Sequence, residues 1–282
     1  MTTEIAPAIF HQDGDLFVPT HLAQGPWYEG DQHGGAIVGL SAYVAEMAPS
    51  AVPMLPVRIT TELFRKVPLA PLRPKLSHIR EGKRIQLLQV SLWDAAETVE
   101  LSKSSVLRIR SAPGEVSDDL LPDPAELAAA TDTVPDFLDE SWQVDTHNLL
   151  NLTNNLVHSS GQPSFPAAFE LRSQRDYAAP RSVSWWRLLK PLVADRPLTP
   201  FVRLATSADF LASAGGLIGA KQYVSINPDL TIYLHRLSED PWLGIESTVR
   251  FDANGTGVTS ANLYDRNSHI GSAAKSLLIF KR

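Results

Sequence analysis

The feature that most constrains this chain is that its second half echoes its first. Displacing the sequence by 171 positions places Thr60 on Thr231, Leu63 on Leu234 and Arg65 on Arg236. Without a net gap the same displacement places Leu92 on Leu263, Asp94 on Asp265, Ser105 on Ser276 and Leu107 on Leu278, with Trp93/Tyr264 and Ile109/Phe280 conservative. The order of element types repeats as well. In the first half, alternating runs rich in β-branched and aromatic residues span Val57–Phe64, Leu72–Arg80, Arg84–Trp93 and Val99–Arg110. Glu81-Gly82 and Asp94-Ala95-Ala96-Glu97 punctuate them as hairpins. The second half reads Leu230–Leu237, Trp242–Phe251, Gly257–Tyr264 and Ile270–Phe280, with turns at Asp252–Gly255 and Asp265–Asn267. An internal duplication explains both the identities and the order.

Each strand set follows a run that is apolar on every face and helix-like. The first extends from Gly35 to Met47, before Pro49, and the second from about Leu204 to Ala220. A helix without a polar face must be buried all round. Between the halves, the stretch from Ser111 to Pro163 carries Pro113, Pro122, Pro124 and Pro135 and reads as a connector with one short helix at Ala125–Ala130. The expected division is therefore 1–110, a connector 111–163, and 164–282.

Composition removes several chemistries. The 282 residues contain no cysteine, which excludes disulfides, thiolate zinc sites and cysteine nucleophiles. A net charge of −6 without a long Lys/Arg run argues against nucleic acid. No apolar stretch approaches the ~18 residues of a membrane span, and Met1–Phe10 lacks the character of a signal peptide, so a cytoplasmic protein is expected. The eight histidines show no ligand spacing, so no metal or other cofactor is expected. There is no Gly-x-Ser-x-Gly elbow, and Gly255-Thr256-Gly257 lies in a hairpin rather than a dinucleotide loop.

A buried helix wrapped by an antiparallel sheet, occurring twice, is the α+β double hotdog. The text also resembles the thioesterase-like superfamily, near the TesB-like type II acyl-CoA thioesterases. Carrying the resemblance are Gly25-Pro26-Trp27, Gln32-His33-Gly34-Gly35 and Leu63-Phe64-Arg65-Lys66-Val67-Pro68-Leu69. It continues in Ala208-Asp209-Phe210, Ile226-Asn227-Pro228-Asp229-Leu230-Thr231, Leu234-His235-Arg236, Leu263-Tyr264-Asp265 and Gly271 to Leu278. It implies two sheets, each around a long buried helix, and hydrolysis of acyl-CoA to fatty acid and CoA. It also implies a homo-oligomer, since hotdog units generally pair.

Asp209 is the only charge between Arg203 and Lys221 in an apolar run. Buried there, an unpaired carboxylate must stay protonated or meet a partner. One reading is a first-turn acid behind a Thr206 or Ser207 cap. The resemblance implies another, an Asp that activates the attacking water, with Val38 opposite it in the first half. The family's Thr position falls on Asn227, with Ser225 close by, and its Gln position on Lys275. An amide can still bind water, whereas an ammonium beside Asp209 would weaken it as a base. On alternation alone Lys275 could equally face solvent.

His33, Gly34 and Gly35 open the first helix, where free amides can polarise a thioester carbonyl. The glycines could also serve only a tight junction; His33 could bind substrate or satisfy loop backbone, with Asp31 the expected cap. Trp185-Trp186 could line an acyl tunnel or pack the sheet, and Arg203, Lys221 and Arg250 could meet CoA phosphates. The reading is an Asp-activated acyl-CoA thioesterase. The alternative is a non-hydrolytic acyl-CoA or lipid binder on the same fold, favoured by Lys275.

Overall fold

The computed structural model describes residues 6–25, 29–117, 120, 134–135, 163–173, 180–211 and 222–281. In the first half, β1 (Phe10–Asp13) and β2 (Leu16–Pro19) precede helix α1 (Gly34–Glu46). There follow β3 (Met54–Leu63), β4 (Leu72–Arg80), β5 (Ile85–Asp94) and β6 (Glu100–Arg110). In the second half, β7 (Phe169–Ser173) and β8 (Arg181–Leu188) precede α2 (Pro200–Ser207). Then come β9 (Tyr223–Ile226), β10 (Asp229–Leu234), β11 (Trp242–Phe251), β12 (Thr256–Tyr264) and β13 (His269–Lys281). The expected connector helix, Trp27 and Lys221 lie outside the described residues.

The strands form a single 13-stranded sheet rather than the two expected. Its order is β1-β2-β4-β5-β6-β3-β10-β13-β12-β11-β8-β7, with β9 on β13. The halves mirror one another about the β3–β10 seam, where Thr60 lies opposite Thr231. These are the two threonines that coincide under the displacement, and their hydroxyls meet at 3.2 Å. An approximate two-fold axis therefore passes between them. The sheets fuse because pairing β3 with β10 satisfies two rows of backbone groups that would otherwise be open edges.

The matched turn acids have a common cause. Asp94 Oδ1 accepts the amides of Thr98 and Val99 at 2.7 and 2.6 Å, and Asp265 Oδ1 those of Asn267 and Ser268 at 2.9 and 2.8 Å. Burial opposes ionisation of Asp265, but Arg236, Ser238 and the two amides outweigh it and hold that carboxyl well below the usual range.

Ten of the thirteen residues of α1 are buried, and they share one core with Ile59, Leu88, Val90, Ile232 and Leu263. The second helix departs from expectation. It begins at Pro200 with Thr199 as cap, whose hydroxyl accepts the Val202 amide at 3.3 Å, and ends at Ser207. Pro at the first position and a Thr cap fix that start. Thr206 and Ser207 cap nothing; their hydroxyls donate back to Val202 O and Arg203 O at 2.6 and 2.8 Å. A 3₁₀ turn, Ala208–Phe210, continues it, and residues 212–221 lie outside the description. A long second helix is thus not what the described residues contain.

The two helices run antiparallel in close contact. A Cβ on Gly35 would stand 2.6 Å from Thr206 O, and one on Gly39 would collide with the Thr206 hydroxyl. Strand alternation separates the paired tryptophans. Trp186 faces the helices, while Trp185 joins Trp242 and Tyr264 in a second buried cluster on the other face, against Val134 of the connector.

Candidate active site

The N-terminus of α1 meets the C-terminal end of α2, and Asp209 lies at that junction. It lies in the 3₁₀ turn that follows α2, with Ser207 at the cap position but with neither the Ser207 nor the Thr206 hydroxyl making the cap bond that a first-turn acid was expected to accompany. A carboxylate at a helix C-terminus is disfavoured by the local carbonyls, but the start of α1 supplies the opposite field. The contact is intimate, since a Cβ on Gly34 would stand 2.6 Å from Asp209 Oδ2.

Three side chains converge on this carboxylate. Asn227, between β9 and β10, donates through Nδ2 to Asp209 Oδ1 at 3.1 Å. Lys275 on β13 is buried rather than solvent-facing; its Nζ donates to the Asp209 carbonyl at 3.0 Å and lies 3.7 Å from Oδ1. His33 Nδ1 stands 3.2 Å from Oδ2. The Asp209 and Lys275 side chains are each only 5% exposed. Removing one partner of such a pair leaves an uncompensated buried charge.

His33, not Asp31, caps α1. Its Nδ1 accepts the Gly35 amide at 3.0 Å, while Asp31 instead reaches Lys66 Nζ at 3.2 Å. The ring stacks on Phe165, with centroids 4.3 Å apart and planes 16° off parallel. Burial lowers the His33 pKa from 6.5 to about 4; Asp209 pulls it up and Lys275 down, so the ring is neutral near pH 7 and its contact with Asp209 is not an ion pair. Gly34, as the first residue of α1, carries an amide of the kind a helix leaves without an internal partner.

An aromatic wall adjoins the carboxylate. Phe210 stacks on Trp186 at 3.7 Å and meets Phe169 edge-on at 4.8 Å, with Phe165 5.5 Å away. Phe165 and Phe169 escaped sequence reasoning because they come from a four-residue 3₁₀ turn and a five-residue strand, segments too short to stand out by period.

The remaining candidates lie elsewhere. Ser225 is on β9 opposite Ile279. Arg203 donates to Ser238 O at 2.8 Å, and Arg250 is an exposed residue of β11. Among the described residues no cluster of three or more His, Asp or Glu could hold a metal, and no helix is long and apolar enough to cross a membrane.

Residues 23–107 match the acyl-CoA thioesterase N-terminal domain family, and residues 144–279 match its C-terminal domain family. The fold is similar to that of a tesB protein from Mycobacterium avium subsp. paratuberculosis, with a TM-score of 0.65 and 16% identity over 96% of this chain and 95% of that one. An acyl-CoA thioesterase II, TesB2, from Mycobacterium marinum gives 0.60 and 12% over 96% and 94%. A hot dog protein from Alicyclobacillus acidocaldarius gives 0.63 and 13% over 97% and 95%. At these identities the likeness establishes the hotdog fold alone. No significant match was found among curated proteins.

Proposed function

This chain belongs to the acyl-CoA thioesterase family of thioester hydrolases, and from that premise we propose that Asp209 activates a water for attack on an acyl-CoA. The observation that carries the reading is the convergence of Asn227, Lys275 and the start of α1 on one buried carboxylate. Asp209 takes a proton from water as its oxygen bonds to the carbonyl carbon. Asn227 orients that water or the carboxylate, since an amide can donate to both. Lys275 holds Asp209 in place and gives the site a cation beside the developing negative charge. The Gly35 amide is engaged by His33, so Gly34 is the better placed to donate to the oxyanion. His33 and Phe210 border the acyl group. When the carbon–sulfur bond breaks, sulfur keeps the electron pair and receives the proton, giving fatty acid and CoA.

The same proposal includes the division into 1–110, 111–163 and 164–282, supported by the mirrored strand order. The proposal extends to a cytoplasmic location, expected from the sequence, and to a homo-oligomeric state, implied by the family resemblance; light scattering showing only a monomer at micromolar concentration would remove the second. The decisive experiment is free-thiol release from short, medium and long acyl-CoAs by wild type and Asp209→Asn. Turnover that survives the substitution unchanged would remove Asp209 from the mechanism. Tight acyl-CoA binding by the wild type without thiol release would favour the binding-protein alternative, for which the Lys275–Asp209 pairing is the supporting contact.

A further inference from the structure

Strand β3 brings the sheet to the edge of the candidate site and releases a short stretch of chain there. Its last residue, Leu63, donates its amide to Pro228 O at 2.7 Å, beside Asn227, and its Cδ1 would lie 3.4 Å from a Cβ on Gly34. The next three residues, Phe64, Arg65 and Lys66, are exposed, Phe64 by 47%. Both ends of the stretch are nevertheless fixed. Phe64 donates its amide to Leu101 O at 3.1 Å, and the Gln32 amide donates to the carbonyl of buried Val67 at 2.7 Å. A lone exposed ring would call for no explanation, but this one stands among cations. Lys103 Nζ, from β6, lies 5.9 Å from the centre of the Phe64 ring, and Arg65 and Lys66 follow that ring directly in the chain.

The three cations are held to different degrees. Lys66 Nζ meets Asp31 Oδ2 at 3.2 Å, and Lys103 Nζ meets Glu100 Oε1 at 3.1 Å. Both pairs are open to solvent, so neither holds its lysine strongly against a phosphate. Arg65 makes no hydrogen bond or ion pair among the described residues. Its counterpart under the 171-residue displacement, Arg236, is tied to Asp265 Oδ2 at 2.7 Å and to Ser268 Oγ at 2.6 Å. The same position is therefore spent on structure in one half and left available in the other. Asp31, Glu62 and Glu100 offset the three positive charges at this edge. What selects a ligand is then the placement of an aromatic face beside an unengaged guanidinium, rather than net charge.

We propose that Phe64, Arg65, Lys66 and Lys103 form the platform on which the nucleotide end of coenzyme A docks. The base lies against the Phe64 ring and the phosphates meet the cations, with the Arg65 fork as the principal phosphate ligand. The inference rests on the acyl-CoA reading and extends it. A thioester carried on a protein-bound pantetheine arm has no nucleotide, so the platform commits the chain to free CoA thioesters. Of the other cations named from the sequence, Arg203 is already engaged by Ser238 O. Contacts so far from the thioester contribute by holding the reacting end in place, and a substrate cut short of them reacts less efficiently.

The test compares one acyl group on two thiols, coenzyme A and N-acetylcysteamine, which lacks the nucleotide. Thiol release from both is measured for wild type, Phe64→Ala and Arg65→Glu. The expected result is a ratio of kcat/KM, CoA thioester over cysteamine thioester, that falls roughly tenfold in each variant, chiefly through KM. Adenosine 3′,5′-bisphosphate is expected to compete with acyl-CoA for the wild type. A ratio that stays at the wild-type value in both variants overturns the proposal, as does a bisphosphate that does not compete. Calorimetric titration of the bisphosphate into each protein separates the two readings. Binding that weakens in both variants supports the platform even where neither thioester is turned over, in which case the hydrolysis reading alone fails. Turnover of both thioesters with no bisphosphate binding removes the platform and leaves the hydrolysis reading standing.

Discussion

The antiparallel helix pair has two junctions, each holding a carboxylate, and the chain has used them differently. At one, the C-terminal end of α1 meets the cap of α2, and Thr199 donates to Glu46 Oε2 at 2.6 Å. Nearby, Arg108 donates to Ala48 O through Nη1 and Nη2 at 3.2 and 3.1 Å and to Pro49 O at 3.3 Å, closing the end of α1. Its other partner is Gln86. Donors there meet acceptors, and the carboxylate lies at a helix start whose field suits it. At the other junction Asp209 faces a histidine nitrogen that is itself an acceptor. The first arrangement pairs one donor with one acceptor, whereas the second gathers an amide, an ammonium and a ring nitrogen around one buried carboxylate. Similar backbone geometry thus gives a fastening at one end and the proposed reactive group at the other.

Exchanging the effects of the two acids would break this contrast. Asp209→Asn is expected to lower thiol release by ~10²-fold or more. Glu46→Gln is expected to leave turnover within about twofold, because an amide still accepts from Thr199. Comparable losses in both variants would mean that the junctions are not functionally distinct.

The junctions should also differ in the sign of their pH dependence. His33 is held near 4 against an ordinary 6.5, so between these values the unfolded chain binds more protons and stability falls as pH falls. The loss is about 3 kcal/mol across that window, read by denaturant titration at several pH values. Glu46 is raised above its ordinary 4.5, chiefly by burial. Its contribution is full below 4.5 and is lost as pH rises through its folded value. His33→Asn should flatten the acid-side slope, and Glu46→Gln the opposing one.

Between the junctions, Gly39→Ala is expected to cost about 2 kcal/mol, because the new methyl collides with the Thr206 hydroxyl. Adding Thr206→Ala should return part of that loss, visible as coupling in a double-mutant cycle. The smallest effect tests the symmetry of the seam. Thr60→Val and Thr231→Val should each cost less than about 1 kcal/mol and by equal amounts, since they share one hydrogen bond across the axis.

The long strands were legible because alternation and acid-bearing turns mark them, as Asp94 and Asp265 illustrate. The four-residue strands β1, β2 and β9 were not, because so short a segment shows no period. The start of the second helix was placed too late because its apolar run outweighed the Thr199-Pro200 start signal. In the candidate site, a lone acid in an apolar run pointed to Asp209, and the family positions pointed to Asn227 and Lys275. The cap was missed for a different reason. Asp31 is the better capping residue by type, but Lys66 holds it, and the nitrogen next to Gly34 takes the role. Nothing local to His33 reports that Phe165 will cover its ring. Such contacts belong to tertiary packing rather than to sequence spacing.

The β3–β10 seam leaves the candidate site without a single owner. A chain severed between β6 and β7 would yield one fragment holding His33 and Gly34, and another holding Asp209, Asn227 and Lys275. Each would also carry a raw strand edge, the kind of surface on which polypeptides aggregate. The candidate site would re-form only to the extent that β3 of one piece found β10 of the other. Covalent continuity therefore acts here as a tether that keeps two incomplete partners at high effective concentration.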